Sequence, residues 1–181
     1  AMALELGRQG ADVVVHAQRS LDQAEAVAAE LRAQGRRALA LLADLRDKAQ
    51  VEAAADRVKA ELGTVDLLVN NAGIRQDGPF ILMGDEKWDE VMQVNLRGTV
   101  WATKAFARGM MAQRWGRVVN IVSPTGVMGR AGQTNYGASK GAVMALTRSL
   151  ARELAPFGVL VNAVNPGLIR TVPGEGYRFE G

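Results

Sequence analysis

The chain has 181 residues, a formal net charge of +3, 20 glycines, one histidine and no cysteine. Its length suits one domain with a sizeable core, and the absence of cysteine excludes disulfides, thiolate metal ligation and a cysteine nucleophile. A single histidine argues against a zinc site and a Ser-His-Asp triad, so no metal is expected. The small, dispersed charge and 5% aromatic content argue against a nucleic-acid platform.

Helical and strand-like segments alternate. Residues 1–9 read as the last turns of a helix, closed by Gly10. Residues 11–16 form a short β-branched run. Ser20 is placed to cap a helix from 21 to about 34, which Gly35 ends. Residues 37–43 read as a second strand. Asp47 caps a helix reaching Leu62, and residues 65–69 form a third strand leading into Asn70-Asn71-Ala72-Gly73. A long helical stretch follows over 85–113, with a break expected near 95–98. Residues 117–122 are a strand ending at Ser123. A helix over 135–155 is stopped by Pro156 and Gly158, and the strand 159–164 is closed by Pro166-Gly167. The tail after Thr171 reads as irregular.

Nearly all-apolar strands separated by amphipathic helices predict an α/β fold, a doubly wound (Rossmann-like) parallel sheet covered on both faces. Ligands in such folds bind at the carboxyl ends of the strands. Arg19, Asp44, Asn71, Ser123 and Pro166-Gly167 all fall there. No segment approaches the roughly 18 apolar residues of a membrane span. The first residues lack a basic region followed by an apolar core, so no signal peptide is expected. A cytoplasmic protein is the expectation.

Tyr136 and Lys140 lie one helical turn apart on one face. An ammonium so placed can lower a phenol's pKa toward working pH and make it a proton donor or acceptor for a carbonyl or alcohol.

Four signatures occur in order: Asn70-Asn71-Ala72-Gly73 after a strand, Asn95 in a helix, Ser123 at a strand end, and Tyr136-x-x-x-Lys140. Together they resemble the short-chain dehydrogenases/reductases, over residues 1–171. Within that family the chain is most similar to the 3-oxoacyl-[acyl-carrier-protein] reductases. The supporting segments are Gly116-Arg117-Val118-Val119-Asn120-Ile121, residues 135–141 and residues 162–167. The resemblance implies a nicotinamide-dependent carbonyl reduction. Tyr136 would protonate the developing alkoxide, Lys140 would lower the Tyr136 pKa and hold the ribose, and Ser123 would hold the carbonyl oxygen. Asn95 would support a helix kink and a proton-relaying water. Asp44, Leu45, Asn71, Ala72, Gly73, Pro166, Gly167 and Ile169 match cofactor-contacting positions. Residues 16–19, His-Ala-Gln-Arg, hold no carboxylate to accept a ribose 2′-hydroxyl, and Arg19 suits a 2′-phosphate. NADP(H) is therefore expected over NAD(H).

The chain departs from the family by showing no glycine-rich pyrophosphate turn after a strand. It reads as a single, incomplete Rossmann-like domain over residues 1–181, truncated at both ends, without the first strand and the C-terminal elements. The expected substrate is a small or acyl-carrier-bound ketone, with a homodimer or homotetramer as the assembly. Two alternatives stand: an NAD-dependent alcohol or sugar dehydrogenase, and a cofactor-free scaffold or oligomer partner.

Overall fold

The computed structural model describes residues 1–166, together with the backbone of 169–172 and 176–179. The chain divides into two compact units, Ala1–Val65 and Asp66–Gly181.

In the first unit, the order is α1 (Met2–Arg8), β1 (Val13–Ala17), α2 (Leu21–Ala33), β2 (Ala38–Leu42) and α3 (Lys48–Leu62). β1 and β2 pair in parallel, Val13 opposite Ala38 and Ala17 opposite Leu42. The β-branched run Val13-Val14-Val15 favours the pleated backbone. Small residues set the packing: Ala24 and Ala28 of α2 bury against Ala40 of β2, with Val15, Ala17 and Ala38 around them. α3 begins at Asp47, whose carboxylate accepts from the N–H groups of Ala49 and Gln50. The same role expected of Ser20 is not realised, because its side chain makes no capping bond to α2.

The second unit runs β3 (Leu67–Asn70), α4 (Asp85–Met92), α5 (Gly98–Ala112), β4 (Gly116–Ile121), α6 (Thr125–Met128), α7 (Thr134–Leu154) and β5 (Val159–Val164). Its strands pair in parallel in the order β3-β4-β5. The fold is thus α/β with parallel, Rossmann-like strands. They form two hydrogen-bonded sheets rather than one, each within its own unit. Val118, Val159, Val161, Val143 and Met110 make the apolar core. β5 departs from the expectation of two covered faces, since Leu160 and Asn162, alternating with the buried Val159 and Val161, are exposed. Gly158 must be glycine: its φ is +74°, and a Cβ there would lie 2.1 Å from the Arg114 carbonyl oxygen.

The expected break in the long helix is a single π turn, Gln93–Arg97, between α4 and α5. The chain stays helical through it, so Asn95 is displaced without a loop being opened. The tail expected to be irregular instead forms an antiparallel pair, β6 (Ile169–Val172) with β7 (Gly176–Phe179). β-branched and aromatic residues there favour extended backbone. Among the described residues, no helix is long and apolar enough to cross a membrane.

Candidate active site

Four segments of the second unit meet at one place: the loop after β3, the π turn, the loop after β4 and the first turns of α7. Register brings two of them together, because Asn70 at the end of β3 lies opposite Asn120 of β4. The Asn70 amide donates to Asn120 Oδ1 at 2.8 Å and to Thr103 Oγ1 at 3.1 Å. Asn120 in turn donates to Thr147 Oγ1 at 2.8 Å. Helices α5 and α7 are thereby both tied to the face of the sheet that carries Asn70 and Asn120. Breaking one would orphan a buried group, at a cost of about 1–3 kcal/mol.

Asn95 is buried and every polar atom of its side chain is engaged. Its Oδ1 accepts from the Ile74 N–H at 2.8 Å, while Nδ2 donates to the Ile74 carbonyl and to Ser139 Oγ, both at 3.0 Å. Ser139 Oγ donates to the Tyr136 carbonyl at 2.7 Å. The π-turn amide therefore links the loop after β3 to the turn of α7 that carries Tyr136. Ser139 was not singled out from sequence. Its position between Tyr136 and Lys140 was the available signal.

Lys140 is 5% exposed, and burial holds its ammonium below the ordinary lysine range. Its Nζ sits 5.9 Å from the centre of the Tyr136 ring and donates to the Ile121 carbonyl at 2.7 Å. An ammonium has three donors. The other two of Lys140 find no acceptor among the described residues. Gly73 lies against this group: a Cβ there would be 3.2 Å from Asn95 Oδ1 and 3.4 Å from Lys140 Nζ. The glycine of the Asn-Asn-Ala-Gly turn thus lets the backbone approach the lysine.

Ser123 follows β4, half-buried, and its Oγ accepts from the Thr125 N–H at 3.3 Å. Pro124 has no N–H to compete for that oxygen. With Oγ accepting from the backbone, the hydroxyl hydrogen is left to donate. Asn71 is exposed, Ala72 half-buried and Pro166 exposed. Gly167 lies outside the described residues, and Ile169 is described only as backbone of β6.

In the first unit, Arg19 is exposed after β1 and has no hydrogen-bond or ion-pair partner among the described residues. Asp44 and Leu45 follow β2 and are half-buried. The Asp44 carboxylate is held by Arg46, at 2.6 Å from Nη2 and 3.0 Å from Nε, which keeps its pKa well below the usual aspartate range. His16 is a strand residue whose Nε2 lies 2.8 Å from the Ala43 carbonyl oxygen.

A buried lysine beside a tyrosine ring on α7 and a serine hydroxyl after β4, among parallel strands and helices, are the features of an α/β protein with titratable and hydroxyl groups gathered in one unit. The chain belongs to the short chain dehydrogenase family, whose family model matches residues 1–177. It is 43% identical over 171 residues to a 3-oxoacyl-[acyl-carrier-protein] reductase, FabG, of Pseudomonas aeruginosa. That match covers 94% of this chain and 69% of the relative. A FabG of Staphylococcus aureus is 40% identical over 168 residues, with 93% and 68% covered. Among solved structures, a gluconate 5-dehydrogenase from Burkholderia cenocepacia, in complex with NADP and tartrate, is similar at a TM-score of 0.85 and 34% identity. The match covers 91% of this chain and 64% of that one.

Proposed function

We propose that this chain carries the proton-transfer machinery of an NADPH-dependent reductase acting on a 3-oxoacyl-type ketone, small or carried on an acyl-carrier protein. One observation carries the reading: the buried Lys140 ammonium, beside the Tyr136 ring, has two donors unengaged. Buried donors without acceptors are costly unless a ligand completes them. A pair of ribose hydroxyls fits that need. The exposed Arg19, with no carboxylate nearby in residues 16–18, fits a 2′-phosphate.

When bound, a nicotinamide would supply hydride to the carbonyl carbon. Ser123 would donate its hydroxyl hydrogen to the carbonyl oxygen, and Tyr136 would protonate that oxygen as charge develops. Lys140 would favour loss of the Tyr136 proton through its positive charge. Asn95 would act as a positioning residue, holding Ile74 and Ser139 about the pair. Asn71, Ala72, Gly73, Pro166, Gly167 and Ile169 would contact the cofactor, as would Asp44 and Leu45.

Oxidation of NADPH with a 3-oxoacyl thioester tests the reading. Tyr136→Phe should lower kcat by about 10²- to 10⁴-fold, the usual contribution of a positioned acid. Undiminished turnover in that variant excludes Tyr136 as the acid.

A second reading is a sugar or alcohol dehydrogenase working toward oxidation, favoured by the likeness to a gluconate 5-dehydrogenase. Comparing 3-oxoacyl thioesters with sugar acids, each with NADP(H) and NAD(H), separates the two. Nucleotide binding by calorimetry separates both from a cofactor-free scaffold. Pairing of α4–α5 or α7 between copies would give the homodimer or homotetramer, which light scattering tests.

A further inference from the structure

α6 lies on α7 with almost no side chain between them. A Cβ on Gly126 would stand 2.8 Å from the Gly141 nitrogen and 2.9 Å from the Lys140 carbonyl carbon. The close approach is reciprocal. A Cβ on Gly141 would be 3.1 Å from the Gly126 oxygen, and one on Gly137 would be 3.1 Å from the Thr125 oxygen. The nearest atoms belong to backbone, so no rotamer change could make room. Gly126 also has ordinary helical geometry within Thr125–Met128. Alanine there would suit α6 taken alone. Glycine is required by the neighbouring helix.

Ser123 hangs from this contact. Its carbonyl accepts from the Gly126 N–H at 3.0 Å, and its Oγ accepts from the Thr125 N–H at 3.3 Å. Both bonds tie Ser123 to residues that touch α7. Gly137 and Gly141 adjoin Tyr136 and Lys140 in sequence, so the contact falls on the turns that bear the acid and its lysine.

We propose that Gly126, seated on Gly141 and Lys140, is a positioning residue that sets the placement of the Ser123 hydroxyl relative to Tyr136. The inference rests on the reductase reading above. A methyl group at 126 lifts α6 from α7 and carries Ser123 with it, while the Tyr136–Lys140 pair stays on its own helix. A misplacement of about 1 Å in a reacting geometry costs up to about 10²-fold in rate. Binding of nucleotide, which the proposal does not assign to Ser123, is left in place.

The test uses the full chain and its Gly126→Ala variant, with NADPH and a 3-oxoacyl thioester. The expected result is a kcat lowered about tenfold to hundredfold, with NADPH affinity by calorimetry unchanged. Gly84→Ala serves as control, since nothing lies within 4 Å of its added methyl group, and should leave kcat unaltered. Crystal structures of both chains measure the Ser123 Oγ to Tyr136 Oη separation, which should widen in Gly126→Ala. If the parent chain turns over and Gly126→Ala matches its kcat, the proposal is overturned. If the parent does not turn over, the reductase reading fails, and an unchanged separation then overturns the proposal on structural grounds alone. Should Gly126→Ala not fold, Gly141→Ala meets only a carbonyl oxygen and is read by the same two measurements.

Discussion

Residues 1–65 hold several polar pairs at the surface, Arg57 with Glu61 at 2.7 Å, Arg37 with Asp12 at 2.7 Å and Lys48 with Glu52 at 3.2 Å, and one half-buried pair, Asp44 with Arg46. In the second unit Asn95, Thr99, Thr103, Asn120, Gln133, Asn135, Ser139, Lys140 and Thr147 are buried, and among the described residues every buried polar side chain lies in that unit. The first unit closes its core with alanine, valine and leucine. Exposed pairs contribute little, because water competes for each charge. Buried amides and hydroxyls hold their partners in one arrangement, since any other orphans them. The polar groups of the second unit are therefore held in one arrangement, whereas Arg19 of the first is exposed.

The most severe way to break this contrast is Asn120→Leu. It leaves Asn70 without one acceptor and Thr147 without a donor, and should destabilise the protein by about 2–4 kcal/mol, read from urea unfolding. A loss below about 1 kcal/mol would mean that the network is replaced by water.

Next is Arg19→Ala, which acts on the exposed cation. It should raise the KM for NADPH about tenfold, the loss of a charge-assisted contact, and leave kcat unaltered. With Tyr136→Phe lowering kcat, the two units would then be separable by kinetics. An unchanged ratio of NADPH to NADH use removes Arg19 from cofactor choice.

The pH dependence of stability sharpens the comparison further, because each unit carries a depressed pKa and the two act in different pH windows. Burial depresses the folded pKa of Lys140, so between that value and the ordinary lysine value the unfolded chain binds more protons. Stability therefore rises with pH through that alkaline window, and Lys140→Met should remove the rise. Asp44, held by Arg46, has a depressed folded pKa as well. For a carboxylate this contributes stability above the ordinary aspartate value, lost as pH falls through the lower folded one. Asp44→Asn should flatten that acid loss. Thermal unfolding across pH reads both.

The smallest effect is expected from Arg57→Ala. It removes an exposed i,i+4 pair and should cost under about 0.5 kcal/mol. A larger cost would show that the surface pairs of the first unit are more than solvated contacts.

Much of this was legible in the residues. The alternation of apolar strands and helices predicted parallel pairing, and Gly10, Gly35, Gly63 and Gly158 all follow helical segments with positive φ. Of the motif residues of the second unit, Gly73 lies against Asn95 and Lys140, and the Lys140 ammonium lies 5.9 Å from the centre of the Tyr136 ring. Asp47 capped its helix where Ser20 did not. A capping side chain needs a suitable rotamer and backbone entry, which residue type alone does not specify. The β6–β7 pair was missed because a short β-branched tail carries no period long enough to read.

Sequence by itself determined the order of the main strands and helices as far as β5, the family and the type of chemistry, because helical spacing and strand-end position follow from local geometry. Tertiary structure alone decided how those groups are held. It engaged the whole Asn95 amide with Ile74 and Ser139, and joined Asn70 to Asn120 and Asn120 to Thr147. It also left two Lys140 donors open and brought Gly126 onto the backbone of Gly141. The asparagine contacts join residues 21 to 50 positions apart, and they exist only once the strands are in register and the helices are packed.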